Sequence, residues 1–319
     1  MNIIRKHNYT IKTKINDKHL ELIPLLDEHL PLLYKWNNDP EVVYWADSGN
    51  FEVCTEEDVR GIYSYVSAKA FCFLMVYDGT PIGDCWVQEM NLDHIKEKHP
   101  SKKVYRIDMT IGEKDLWGKG IGSAAVKELC DFAFCELSAD IMYLIFCDYN
   151  ERSRKTATKL GFIESCQKEV CDSDRAKLEY FYMMDRDRYI GKVMLEKAGD
   201  FIDIRYPEGW GGCAVMHTKE GEFLISVYLD SPNSAAELCM ETGAMCEAQK
   251  YNYTITHSLC VSRENEKEEL KILTPCGICQ ERLRFWGGGV KVAVSNPKNT
   301  VIFKTLDEIG PHYWRGDLT

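Results

Sequence analysis

Two short stretches, Cys239-Met240-Glu241 and Pro275-Cys276-Gly277-Ile278-Cys279, restrict the fold of this 319-residue chain more than any other part of it. Three thiolates so placed can bind Zn²⁺ and leave its fourth tetrahedral position open for a water molecule, whose pKa the ion brings near neutrality. A carboxylate two residues after the first ligand, on the first turn of the same helix, reaches that position without ligating and can carry a proton there. The candidate ligands are therefore Cys239, Cys276 and Cys279, and the candidate proton carrier is Glu241. The bland alternatives are a structural zinc knuckle and a set of buried cysteines that hold no metal.

Cys-x-Glu followed downstream by Pro-Cys-x-x-Cys is the signature of zinc-dependent nucleoside deaminases. From Cys239 through Val261 the chain resembles the cytidine deaminase family, including its blasticidin S deaminase type: ligand and glutamate, a helix through Gln249-Lys250, then a strand over 255–261. The variable hairpin 262–271 and Leu273-Thr274-Pro275-Cys276 lead into a second ligand helix, read over 280–286. The resemblance implies a three-layer α-β-α domain, Zn²⁺ as cofactor and a cytosine-type nucleoside as substrate. Cytidine enzymes of the family hold ribose through Asn-x-Glu on the strand before the first ligand helix. Those positions here are Tyr228 and Asp230, on a strand read over 222–230, which points from plain cytidine toward a modified cytosine nucleoside. A second register at Cys246-Glu247 lacks the family's intervening residue, and Cys246, about two helical turns past Cys239, reads as a small buried residue.

A length of 319 suits two domains. The net charge of −11 argues against nucleic-acid binding, which needs a basic footprint, and suits small cationic or neutral substrates. No apolar run approaches the roughly 18 residues needed to span a bilayer, and the first seventeen residues contain no apolar signal core. The expectation is a cytoplasmic protein with reduced thiols and no membrane partner. Of the 14 cysteines, three go to zinc and eleven read as small core residues.

Upstream, 104–111 reads as a strand, 112–123 as a glycine-rich turn, 124–136 as a helix, 141–147 as a strand and 151–160 as a helix closing on Gly161-Phe162. A strand, a glycine turn and a helix make an anion cradle, because glycines let the backbone approach and the first helical N–H groups point at phosphate. The order resembles the GNAT N-acetyltransferases over about residues 18–188. Arg106-Ile107-Asp108 followed by Trp117-Gly118-Lys119-Gly120-Ile121-Gly122-Ser123 looks most like the aminoglycoside 6'-N-acetyltransferases, and Trp36-Asn37 and Tyr44-Trp45 fit that subgroup. The resemblance implies acetyl-CoA as cofactor, its pyrophosphate held at 117–123, its pantetheine arm near Asn150, and Trp45 at the substrate. It also implies Asp108 as the residue that deprotonates or holds the acceptor amine, with an ion pair to Arg106 as the alternative. Many GNATs place a tyrosine seven residues after this asparagine to protonate the leaving thiolate; here that position is Ala157.

The fold class is α/β: a GNAT fold over 1–188, followed by a cytidine-deaminase-like domain over 189–319. Between them, 185–206 reads as a charged junction with one short helix at 193–198. The implied function is bifunctional: acetylation of an aminoglycoside-like amine plus deamination of a cytosine-type nucleoside, as in antibiotic modification, by a homo-oligomer. The rivals are a pyrimidine-salvage deaminase with an acetyl-CoA-binding accessory domain, and a non-catalytic scaffold stapled by zinc.

Overall fold

The structure, a computed structural model, describes residues 3–15, 17–46, 51–171, 173 and 175–313. The chain divides into two compact units, Met1–Arg186 and Asp187–Thr319.

The first unit contains β1 (Ile11–Ile15), β2 (Lys18–Pro24), α1 (Leu30–Asn37), α2 (Pro40–Ala46), α3 (Glu56–Ser67), β3 (Ala70–Tyr77), β4 (Thr80–Glu89), α4 (Asp93–Lys96), β5 (Val104–Ile111), α5 (Ile121–Asp131), β6 (Ile141–Cys147), α6 (Glu151–Lys159), β7 (Ile163–Glu169) and β8 (Leu178–Asp185). Their sheet runs β1-β2-β3-β4-β5-β6-β8-β7. Tight turns join several neighbours: Asp78 and Gly79 both take positive φ, +52° and +79°, as a two-residue hairpin between antiparallel strands requires. The exception is β5 beside β6, which pair in parallel only at Val104–Ile141, Tyr105–Met142 and Arg106–Tyr143. Beyond Arg106 the two strands no longer pair. The sheet splays there, just where the chain leaves β5 for the glycine turn and leaves β6 for α6.

α1 and α3 cover one face of this sheet around Leu33, Trp36, Val59 and Tyr63. α3 begins where Thr55 and Asp58 cap each other, the hydroxyl accepting from the Asp58 N–H and the carboxylate accepting from the Thr55 N–H. α2 occupies the Asn-Asn-Asp-Pro-Glu break: Pro40 fits its first turn, and the Asp39 carboxylate accepts from the N–H groups of Glu41 and Val42. β7 has no counterpart in the sequence reading. Its burial is low along its length, as in an edge strand guarded by charged side chains, so no apolar alternation marks it. At the end of β5, Gly112 lies against the buried Trp36; a Cβ there would sit 2.1 Å from the indole Cδ1. Gly112→Ala is therefore expected to destabilise the first unit by roughly 1–3 kcal/mol through overpacking, read as a lower Tm. An unchanged Tm would show that this contact is soft.

The second unit contains α7 (Arg186–Arg205), β9 (Gly211–Thr218), β10 (Phe223–Ser226), α8 (Thr242–Tyr251), β11 (Ile255–Arg263), β12 (Lys271–Leu273), α9 (Gly277–Leu283), β13 (Lys291–Ala293), β14 (Phe303–Thr305) and α10 (Leu306–Ile309). The sheet order is β10-β9-β11-β13-β14, with β12 paired to β11, and β11–β13 is the parallel pair. α7 packs on one face with Cys213, Val215, Leu259, Val261 and Ala293. α8 and α9 pack on the other face with Met216, Leu224 and Val292. The result is three α-β-α layers.

Four expectations need correction here. The segment read as a charged junction is one 20-residue helix, α7. Its buried positions Ile190, Gly191, Met194, Ala198 and Ile202 follow helical spacing, but two of them are too small to register as an apolar stripe. Gly191 is required because a Cβ would lie 2.8 Å from Val301 and 2.9 Å from Phe303. β10 stops at Ser226, so Tyr228 and Asp230 lie in the loop beyond it. The second ligand helix starts at Gly277, three residues earlier than read, which puts Cys279 inside its first turn. The cysteine expectation also fails in part: Cys135, Cys171 and Cys246 are exposed, and Cys54 and Cys166 only half-buried.

Candidate active sites

In the second unit the site is built from two helix starts. Cys239 and Glu241 lie at the start of α8, and Cys276 is the N-cap of α9. The α8 start is pinned from two sides. The Ser226 hydroxyl donates to the Met240 carbonyl, and Arg282 on α9 donates to the Thr242 hydroxyl at 2.8 Å. Gly243 lets this first turn close on β10, since a Cβ would meet that of Ser226 at 2.9 Å.

The Cys239 and Cys276 sulfurs lie 3.5 Å apart, and all three Sγ atoms lie within 4.8 Å of one another. A tetrahedral zinc with Zn–S bonds of about 2.3 Å places sulfurs near 3.8 Å apart, so this donor set fits the ion. Among the described residues it is the one group of three metal-ligating side chains so arranged. Burial pushes the Cys276 thiol up, but the N–H groups of Ile278 and Cys279 at the α9 start and the neighbouring thiols outweigh it, and the net direction is down. Burial pushes Cys239 and Cys279 up, and the Glu241 charge adds to both.

Glu241 is 4% exposed, makes no side-chain cap bond to α8, and has no ion-pair partner among the described residues. Tyr228 and Asp230 flank Leu229, which is bridged to Leu238 next to Cys239. Tyr228 is exposed, and its hydrogen bond with Glu237 pushes its phenol up to about 12. Asp230 accepts from the N–H of Ser231. The sequence reading missed Trp210. Its ring edge and the Met240 sulfur both crowd Gly212, at 3.1 and 2.9 Å from where a Cβ would stand, so the indole borders the residue before Glu241. An aromatic residue next to the glycine pair that opens β9 was the available signal.

In the first unit, α5 starts at Ile121, not at Ala124, because Gly118 and Gly120 take φ of +76° and +81° and Gly120 is the N-cap. The N–H groups of Ile121, Gly122 and Ser123 are thereby the free first-turn donors. Trp117 closes the turn by donating from Nε1 to the Ile111 carbonyl at 2.8 Å, and Lys119 is exposed at its tip. Asn150 is buried and spends both ends of its amide within the fold. Oδ1 caps α6 by accepting from Ser153 N–H, and Nδ2 donates to the Trp45 carbonyl at 3.1 Å. This bond docks Trp45 at the α6 start. There Arg152, also missed from sequence, stands 5.7 Å from the Trp45 ring and 5.3 Å from that of Trp117. Ala157 is fully buried, so this position has no room for a hydroxyl-bearing ring.

Asp108 is held by Arg106, whose Nε donates to Oδ2 at 2.7 Å while Nη2 donates to Oδ1. Next to it lies a carboxyl the sequence reading passed over, Asp84 on β4. It is 2% exposed and accepts from the Tyr63 hydroxyl at 2.9 Å. Burial pushes its pKa up to about 7, with the Asp108 charge as a lesser cause in the same direction.

The family model described as "Acetyltransferase (GNAT) domain" matches residues 19–163. A crystal structure of the cytidine deaminase from Bacillus anthracis is 46% identical over 39% of this chain and 89% of its own, with a TM-score of 0.39. A GNAT-family acetyltransferase from Bacillus anthracis is 17% identical over 56% of this chain and 99% of its own, with a TM-score of 0.45. The aminoglycoside acetyltransferase AAC(6')-Ib in complex with coenzyme A is 20% identical over 54% and 97%, with a TM-score of 0.47. No helix of the described residues is long and apolar enough to cross a membrane. The chain thus carries a GNAT acetyltransferase domain in its first unit, and through its second unit it belongs to the cytidine deaminase family.

Proposed function

We propose that the chain is bifunctional, an acetyl-CoA-dependent N-acetyltransferase and a zinc-dependent deaminase of a cytosine-type nucleoside, acting on small amine-bearing molecules of the antibiotic kind. One observation carries the deaminase reading. Glu241 is a buried carboxylate that neither caps its helix nor pairs with a cation, although burying an unpaired charge is costly. A group kept at that cost beside three thiols has a task other than stability.

Cys239, Cys276 and Cys279 would hold the zinc ion, which when bound would supply Lewis acidity toward a water molecule. Glu241 accepts one proton of the attacking water and passes it to the ring nitrogen N3 of the cytosine, then takes the remaining hydroxyl proton at C4 and delivers it to the amino group, so that the C4–N4 bond breaks, ammonia leaves and C4 becomes a carbonyl. Trp210 and Tyr228 flank this position and would bound the base and sugar. In the first unit the turn at 117–123 would hold the CoA pyrophosphate on free N–H groups. The acceptor nitrogen attacks the thioester carbonyl, Asp108 takes its proton, and the C–S bond breaks to release the CoA thiolate. Ala157 offers that thiolate no acid.

Asp108→Asn is expected to lower the acetyl-transfer rate by roughly 100-fold or more while acetyl-CoA affinity stays nearly constant, with thiol release and calorimetric binding as the two readouts. Full activity of Asp108→Asn on every amine tested would remove Asp108 from this role.

A further inference from the structure

In the interior of the first sheet, on the side that faces Tyr63 of α3, β4 and β5 together present one set of buried and half-buried side chains. Cross-strand pairing sets Asp84 against Thr110, Trp86 against Asp108 and Gln88 against Arg106, and alternation puts these six side chains on one side. The charges on this face are already matched. Asp84 is buried and bonded to Tyr63. Asp108 is closed by Arg106 in a two-pronged pair, with the two side chains 22% and 19% exposed.

Donors are what remain. The Arg106 guanidinium has five N–H groups; two serve Asp108 and one reaches Asn91 at 3.4 Å. The indole N–H of Trp86, directly across from Asp108, is buried with no partner. A polycation entering here would bring ammonium groups up to a guanidinium and meet a carboxylate already taken. A zwitterion would find a match for both of its charges.

We infer that Arg106 sets the acceptor class of the acetyltransferase: the acetylated amine carries its own carboxylate, which takes over hydrogen bonds of Arg106 and releases Asp108 to receive the amine. Charge is conserved in this exchange, ammonium for guanidinium at Asp108 and substrate carboxylate for Asp108 at Arg106. The transfer that follows is the one described above. The inference rests on the acetyltransferase reading and narrows its substrate.

The experiment compares kcat/KM, by release of CoA thiol, for lysine, β-alanine and glycylglycine against kanamycin and ribostamycin. The carboxylate is then removed by using the methyl esters. The wild type is expected to prefer the zwitterions at least roughly tenfold. Arg106→Gln is expected to lower their kcat/KM roughly 10- to 100-fold, the range for hydrogen bonds to charged groups, mostly through KM, and to leave the polycations unchanged or faster. Esterification should impose the same loss on the wild type and no further loss on Arg106→Gln. Arg106→Lys should recover part of the preference and, by melting temperature, controls for folding. A wild type that prefers kanamycin, or an Arg106→Gln that slows zwitterions and polycations equally, would overturn the inference and leave the acetyltransferase reading standing. Acetyl transfer to no amine at all would overturn both.

Discussion

Glu241→Gln is expected to leave the second unit folded and its metal content unchanged while ammonia release from a cytosine nucleoside falls roughly 10²- to 10⁴-fold, the usual range for general acid–base groups. The substitution keeps side-chain volume and removes only the ability to take up and return a proton. The competing explanation is that Glu241 sits at the start of α8 because helix N-termini favour negative charge, by about 0.3–1 kcal/mol. That explanation predicts a small fall in Tm and near-normal turnover. The geometry already weakens it, since the Glu241 side chain makes no cap bond to the helix and is 4% exposed. Ammonia release, metal content and Tm measured on the same preparation separate the two. Retained metal with near-normal release would return Glu241 to a structural role.

Cys276→Ala is expected to reduce bound zinc from about one per chain to near none and to lower the melting of the second unit by roughly 10 °C or more, because metal binding is folding free energy. Cys276 is the informative ligand because it is exposed. Alanine there loses little packing, so a chain with no metal would barely notice the change. Cys279→Ala would be harder to read, since Cys279 is fully buried in the core with Leu283 and Val292 and leaves a cavity whatever the metal does. Full zinc occupancy in Cys276→Ala, by elemental analysis, would sink the ligand set. An unchanged melt on treatment of the wild type with a chelator would do the same for the coupling to folding.

Elements with a strong local signature were legible before any coordinates. β5 and β6 fall at the residues expected, because each is a run rich in apolar, β-branched and aromatic residues that ends at a turn, a signal that acts within a few residues. The elements that were missed owe their form to tertiary contact. α7 is held by a stripe that includes Gly191 and Ala198, where smallness is the point and hydrophobicity scales register nothing. β7 is an edge strand held through its ladder to β8 and a few side-chain contacts, with little apolar burial to mark it. β10 ends four residues short of Asp230 because the following loop is folded back through Leu229 onto Leu238, an arrangement no period encodes.

The candidate sites divide in the same way. Glycine, cysteine and glutamate at fixed spacing announced themselves. Asp84, Trp86, Arg152 and Trp210 did not, because each matters through a neighbour from another segment: Tyr63, the opposing Asp108, Trp45 with Trp117, and Met240. Asn150 has a further part that spacing does not show: both ends of its amide are taken up in fixing α6 and Trp45.

The central claim is that one chain performs two separate chemistries, and mass-resolved product analysis tests it most directly. The purified protein is incubated with a panel of amines and cytosine nucleosides, with and without acetyl-CoA, alongside Glu241→Gln and Asp108→Asn. The account predicts an acetylated amine that forms only with acetyl-CoA and fades in Asp108→Asn alone, and a uracil-type product that forms without acetyl-CoA and fades in Glu241→Gln alone. Either product surviving undiminished in its own variant, or only one of the two chemistries appearing across the whole panel, would contradict it.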